Sequence, residues 1–294
     1  MYLKHFGLRE APFGITPDTA FSFASRPFQE ALNTLLVAVK NGEGFIKITG
    51  EVGTGKTLLC RKFLASLGEG FVSAYLPNPY LEPRTLLFAL AEELGVKLPP
   101  EADQHQALKA VTQALLGFAR AGRKVVVCLD EVQAMPRESL EALRLLSNLE
   151  TEKRKLLQVV LFGQPELDER LAGHDLRQLN SRITFAYRLA PLSRQETEYY
   201  VAHRLSVAGY GGAPLFSRRA LALLHRASGG TPRLVNVLAH KALMLVYGEG
   251  RQRVEARHVA LAARDTPAAR AVRSVPGWLW AIAALLGAGV AAGA

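Results

Sequence analysis

The sequence predicts an α/β fold with a parallel sheet core, followed by a small all-helical domain and a C-terminal apolar helix. Three observations predict it. Residues 50–57 read Gly-Glu-Val-Gly-Thr-Gly-Lys-Thr, an unbroken match to the phosphate-binding pattern G-x-x-x-x-G-K-[ST], set between the strand-like run Phe45–Thr49 and the helical run Leu58–Leu64. The run Val125-Val126-Val127-Cys128-Leu129 is apolar at every position and ends in two carboxylates, Asp130 and Glu131. That is the pattern of a central parallel strand covered on both faces. Beyond Pro191 every patterned segment has helical spacing.

The elements follow in order. In the first unit, 1–40, Pro12, Pro17 and Pro27 stand among Phe6, Phe13, Phe21 and Phe23, which reads as an extended arm that packs through its rings; a helix follows from about Phe28 to Lys40. In the second, 41–190, strand and helix alternate as in a parallel sheet. After the phosphate-binding loop come a strand at Phe71–Leu76, helices near Glu82–Leu94 and Asp103–Arg120, and the strand Lys124–Leu129. A helix at Arg137–Leu149, a strand at Leu157–Phe162 and a shorter strand at Ile183–Leu189 complete it. In the third, 191–265, Ser193-Arg194-Gln195-Glu196 forms a capping box opening a helix that carries Tyr199, Tyr200, Val201 and Leu205. Helices near Ser217–Ala227, Thr231–Tyr247 and Glu255–Ala263 make a bundle too small to bury much core unless it docks on the first domain.

Residues 266–276 read as a linker, and 277–294 run without a charge, long enough to span a bilayer. Trp278 and Trp280 stand at one end as interfacial anchors, with Arg264, Arg270 and Arg273 just before them, so the expectation is a transmembrane helix that leaves the N-terminal body cytoplasmic. The alternative is a terminal apolar helix packed on the domain or on a dimer partner.

Composition narrows the class. With 49% hydrophobic residues in 294, the chain can bury a full core, which excludes a disordered chain. Its two cysteines, Cys60 and Cys128, exclude a disulfide framework and fit a reducing compartment, and residues 1–7 lack the apolar core of a signal peptide. The net charge of +10 favours nucleic acid or an anionic membrane without choosing between them, and much of it is scattered Arg on helices, the composition of a solvated face.

The motifs carry the chemistry of NTP hydrolysis. Gly50, Glu51, Val52, Gly53, Thr54, Gly55, Lys56, Thr57 and Leu58 form the nucleotide cradle: amides from Gly53 to Thr57 and the following helix dipole face the phosphates, and Lys56 supplies a point charge for the β and γ phosphates. Thr57 is placed to ligate Mg²⁺. At the carboxyl end of the buried strand, Asp130 holds Mg²⁺ through water and Glu131 orients and deprotonates the attacking water. Gln164, after the strand Gln158–Phe162, is a candidate γ-phosphate sensor; the plainer reading is a Gln that starts a turn before Pro165. Arg233, in Gly229-Gly230-Thr231-Pro232-Arg233, opens a lid helix from which a guanidinium can reach the nucleotide. Arg177 and Arg182 precede the last strand, a place from which an Arg can reach a neighbouring subunit's γ-phosphate; as plain surface arginines they would do nothing there.

Over about residues 1–265 the sequence resembles the AAA+ ATPases of the ExeA/GspA group, associated with type II secretion and type IV pilus assembly. The marks are Tyr2–Leu8 with Pro12-Phe13 and Thr16-Pro17-Asp18, Gly42–Phe45 running into the phosphate-binding loop, Leu161–Leu167, and Gly230–Arg233. Within the group, the opening and Gly42–Lys62 look most like the branch serving MSHA pilus biogenesis. The resemblance implies a P-loop NTPase of AAA+ type with ATP and Mg²⁺ as ligands, the roles above for Lys56, Asp130, Glu131, Gln164 and Arg233, and Arg182 ahead of Arg177 as the finger. It also implies a homo-oligomer at the bacterial inner membrane, ATPase domain facing the cytoplasm, with pilus or secretion inner-membrane components as partners. Secretion relatives continue into a periplasmic peptidoglycan-binding domain, whereas the sequence ends at Ala294, so direct cell-wall binding is not expected. The rival is a DNA-acting AAA+ ATPase, against which no winged-helix or homeodomain-like module is evident beyond the lid. A third reading, a scaffold that binds nucleotide without turnover, is opposed by the intact Glu131.

Overall fold

The computed structural model describes residues 2–77, 80–151 and 154–270. A short helix α1 (Tyr2–Phe6) opens the chain and α2 (Arg26–Asn41) follows the arm. Next come β1 (Phe45–Thr49), α3 (Lys56–Ala65), β2 (Phe71–Leu76), α4 (Pro83–Glu93), α5 (Gln104–Arg120), β3 (Lys124–Leu129) and α6 (Arg137–Leu146). A hairpin of two-residue strands, β4 (Glu150–Thr151) and β5 (Arg154–Lys155), leads to β6 (Leu157–Gly163), α7 (Glu166–Ala172), α8 (Arg177–Asn180) and β7 (Ile183–Arg188). The helical domain holds α9 (Arg194–Val207), α10 (Arg218–Ser228), α11 (Pro232–Gly248) and α12 (Ala256–Arg264).

β1, β2, β3, β6 and β7 form one parallel sheet in the order β2-β3-β6-β1-β7. The pleat sorts each central strand onto two cores. Val125, Val127 and Leu129 of β3, with Leu157, Val159 and Leu161 of β6, join Leu90, Leu115 and Leu143 on one face. Val126 and Cys128, with Val160 and Phe162, join Leu35, Leu59 and Phe63 on the other. Residues alternate between faces, and both faces are covered, which is why these strands are apolar throughout. Each fully buried Leu or Val contributes about 1.5–3 kcal/mol. All carboxyl ends therefore lie on one edge, with the loop after β1 beside Asp130 and Glu131.

The capping box forms as expected: the Glu196 N–H donates to Ser193 Oγ at 3.2 Å and the Ser193 N–H to Glu196 Oε2 at 2.9 Å. The arm is the larger difference from expectation. It begins as a helix, and Tyr2, Phe6, Leu8, Phe13 and Phe21 are buried among Leu205, Leu224, Val235 and Leu243 of the helical bundle. The first residues of the chain thus complete the core of its last domain, supplying apolar area that four short helices cannot. Between β6 and β7 the chain forms α7, the turn His174–Leu176 and α8, none of which the pattern assigned, and α6 ends at Leu146 rather than Leu149. Thr266, expected in a linker, is buried and bonds the Ala262 carbonyl at 2.8 Å, and the Arg270 N–H donates to Ala227 at 2.9 Å, so 266–270 lie against the bundle. Among the described residues no helix is long and apolar enough to cross a membrane; the expected span 277–294 lies outside them, as does the rest of the linker.

Candidate active site

The loop that follows β1 turns through Gly53 (φ +80°) and Gly55 (φ +102°) before α3 begins at Lys56. Both angles lie where a side chain is strained, which explains glycine there. Lys56 is only 4% exposed, and its Nζ donates to the carbonyls of Gly50 at 2.8 Å and Glu51 at 3.2 Å. Burial lowers its pKa, while the carboxylates of Glu131, Asp130, Glu51 and Glu166 pull the other way without cancelling it. Thr54 is buried and bonds the Glu51 carbonyl; Glu51 and Val52 are exposed, and Leu58 is half-buried.

In the first turn of α3, Thr57 Oγ1 donates to Asp130 Oδ2 at 2.7 Å. Asp130 is buried, its Oδ1 accepts the Glu131 N–H at 2.9 Å, and the Tyr75 hydroxyl reaches Oδ2 at 3.4 Å from the adjacent strand. Burial, then the Asp130 charge, raise the Tyr75 pKa, so it stays a donor. These are hard oxygen donors of the kind that bind Mg²⁺ together with substrate phosphates. Among the described residues no cluster of three His, Cys, Asp or Glu forms a metal site of protein ligands alone.

Glu131 leaves β3 with φ +53°, a conformation that costs a non-glycine residue about 1–3 kcal/mol. Its Oε2 accepts from Gln164 Nε2 at 2.9 Å and from Gln133 Nε2 at 2.6 Å. Burial pushes the Glu131 carboxyl up, but these two bonds and the Lys56 charge outweigh it and hold it below the usual glutamate range. Gln164 is thus brought to the site, against the carboxylate. The plain turn-forming reading does not account for that contact.

The lid helix meets the loop directly. The Arg233 N–H donates to the Gly53 carbonyl at 3.1 Å, and a Cβ on Gly53 would stand 2.5 Å from Arg233 Cβ. A cavity of about 290 Å³ lies between them, walled by Ile15 and Asp18 of the arm, Lys56, Glu131, Arg204 and Arg233. The arm's share in this wall and the roles of Gln133, Tyr75 and Arg204 were not read from sequence. Gln133 had one local signal, its place two residues after Glu131; Tyr75 had another, its place near the carboxyl end of a neighbouring strand.

Arg177 and Arg182 lie elsewhere. Ile183 pairs with Phe45, so both precede the amino end of β7, across the sheet from the phosphate-binding loop, and neither serves its own chain's cradle. Arg177 is exposed, whereas Arg182 Nη1 bonds Asn148 Oδ1 and, at 3.3 Å, Ser147 Oγ.

An AAA domain model matches residues 39–171. The chain is 42% identical over 270 residues to General secretion pathway protein A of Aeromonas hydrophila, covering 92% of this chain and 49% of that one. It thus spans about half the length of this curated relative. Among solved structures, Cdc6p from Pyrobaculum aerophilum superposes with a TM-score of 0.67 at 17% identity, over 85% of this chain and 71% of that one. The Aeropyrum pernix ORC2 protein, solved as ADPNP-ADP complexes, gives 0.60 at 18%, over 88% and 73%. The fold is the α/β P-loop AAA fold with a five-stranded parallel sheet and a helical C-terminal region; residues 39–171 match an AAA domain, and the chain is similar to General secretion pathway protein A.

Proposed function

We propose that the protein is an ATPase that hydrolyses ATP with Mg²⁺ and uses the cycle to support assembly of a type II secretion machine or an MSHA-like type IV pilus. In this reading it is a homo-oligomer, tethered to the bacterial inner membrane by residues 277–294, with the ATPase domain in the cytoplasm and inner-membrane components of the machine as partners. The observation that carries it is the convergence at one sheet edge of Lys56, the Thr57–Asp130 pair at 2.7 Å, and Glu131 bonded to Gln164. The relation to General secretion pathway protein A supports the choice of machine.

Each residue has a part. Amides of the loop and Lys56 bind the β and γ phosphates, Thr57 and Asp130 hold Mg²⁺, and Glu131 takes a proton from the attacking water. When bound, Mg²⁺ neutralises charge on the phosphate oxygens. Gln164, bonded to Glu131, would sense the γ-phosphate, and Arg233 would close the lid over the nucleotide. The test is phosphate release by the full-length protein with ATP and Mg²⁺; a protein that neither binds nor turns over ATP overturns the proposal. The net charge of +10 supports a second reading, a DNA-acting ATPase of the transposition or loading type, whose signature would be hydrolysis stimulated by duplex DNA.

A further inference from the structure

The carboxamide of Gln133 can face only one way. Its Oε1 accepts the main-chain N–H of Gln164 at 2.9 Å, and a main-chain N–H can only donate, so the amide nitrogen is turned toward Glu131. There it donates to Oε2 at 2.6 Å, beside the Gln164 side chain at 2.9 Å on the same oxygen. The main chain beneath is pinned as well. The Gln133 carbonyl accepts from Arg170 Nη1, the Met135 carbonyl accepts from Arg170 Nη2 at 2.8 Å, and the Ala134 N–H closes the turn onto the Glu131 carbonyl at 3.0 Å. Gly163 leaves room for the Leu167 side chain of α7 and the Gln133 carboxamide, since a Cβ there would stand 2.6 Å from Leu167 Cδ2 and 3.3 Å from Gln133 Oε1. Both donors fall on Oε2. Among the described residues no hydrogen bond reaches Glu131 Oε1, and Glu131 lines the cavity with Lys56 and Thr57.

We propose that Gln133 is a positioning residue for hydrolysis: locked by Gln164, it anchors Glu131 Oε2 and leaves Oε1 as the oxygen that takes the proton. The inference rests on the ATPase reading above. In the step, an O–H bond of water breaks and its proton passes to Oε1. The water oxygen forms a bond to the γ-phosphorus, and the bond from that phosphorus to the bridging oxygen breaks, its electron pair leaving with ADP. Gln133 touches neither water nor phosphate; it acts through Glu131.

The test is steady-state ATP hydrolysis by full-length Gln133→Met and Gln133→Glu, beside equilibrium ATP binding. Methionine keeps the shape and loses both bonds, so kcat should fall by about 10- to 100-fold, less than the about 10²- to 10⁴-fold expected on losing the base, with KM within about twofold of wild type. Glutamate keeps the acceptor for the Gln164 N–H but sets a second carboxylate against Glu131 Oε2, which either repels it or shares a proton with it, so it should be at least as slow as methionine. A merely structural Gln133 would lose ATP affinity and thermal stability together with kcat, whereas a positioning residue loses kcat alone, and this split decides the matter in either variant. A kcat within twofold of wild type in Gln133→Glu, or equal losses in kcat and ATP affinity in both variants, overturns the proposal. A wild-type protein that releases no phosphate is a separate outcome, which overturns the ATPase reading and the proposal with it.

Discussion

The main-chain N–H of Arg233 donates to the Gly53 carbonyl at 3.1 Å, so the first turn of α11 rests on the phosphate-binding loop itself. Lid and loop are joined through backbone. A phosphate that rearranges the loop must therefore act on the helical domain, and through it on the arm whose rings complete that domain's core.

This contact makes Gly53 the most sensitive glycine of the loop. Alanine there would combine φ +80° with a Cβ 2.5 Å from Arg233 Cβ, so loop and lid must separate. Gly53→Ala should lower ATP affinity by about tenfold, or about 1.4 kcal/mol, and lower the melting temperature. Gly68→Ala, where a Cβ meets nothing within 4 Å, should change stability by less than about 0.5 kcal/mol. Equal behaviour of the two variants in calorimetry and nucleotide titration would remove the lid–loop contact from the account.

Binding and turnover should separate between two side chains. Lys56 supplies charge at the phosphates, so Lys56→Ala should weaken ATP binding. Glu131→Gln can present its amide oxygen to Gln133 and Gln164, keeping both bonds, while losing the base. It should bind ATP as tightly as wild type and turn it over about 10²- to 10⁴-fold more slowly. Equilibrium titration beside phosphate release checks both, and equal loss of affinity in the two variants would contradict the assignment.

The loop, Asp130 and Glu131 could be read from sequence because each is a local pattern beside a strand, and the two-sided burial of β3 is written in its unbroken apolar run. The contact between Gln164 and Glu131 is not local. It depends on the register of β6 on β3, in which Leu161 stands beside Leu129, and no spacing within either segment states that pairing. The helix α7 escaped notice because seven residues give only two core positions, Leu167 and Leu171, too few to establish a helical period. The arm's destination was hidden for another reason: aromatic rings show that a segment packs, not which core it fills.

The two finger candidates should differ. Arg177 is exposed, whereas Arg182 is tied to Ser147 and Asn148 at the end of α6 and must leave those partners to reach a neighbour's phosphate. If Arg182 is the finger, activity per molecule should rise with protein concentration, and mixing inactive Arg182→Ala with inactive Glu131→Gln should restore turnover, because intact parts then meet at one interface. Recovery with Arg177→Ala in place of Arg182→Ala would move the role to Arg177. Flat specific activity with no recovery in either mixture would end the finger proposal for both.

The tail separates the membrane reading from the DNA reading. Residues 277–294 carry no charge, with Trp278 and Trp280 at one end, so attachment to membranes should resist salt, whereas binding through phosphate contacts weakens steeply as salt rises. Full-length protein should stay with the membrane fraction at both low and high salt, and a chain ending at Arg273 should be released. A full-length protein that remains in the supernatant in both conditions, or a shortened one held as firmly as before, would overturn the anchor. Duplex DNA that binds with a steep salt dependence and stimulates hydrolysis would instead promote the DNA-acting reading, since a pilus or secretion ATPase has no reason to couple nucleic acid to its cycle.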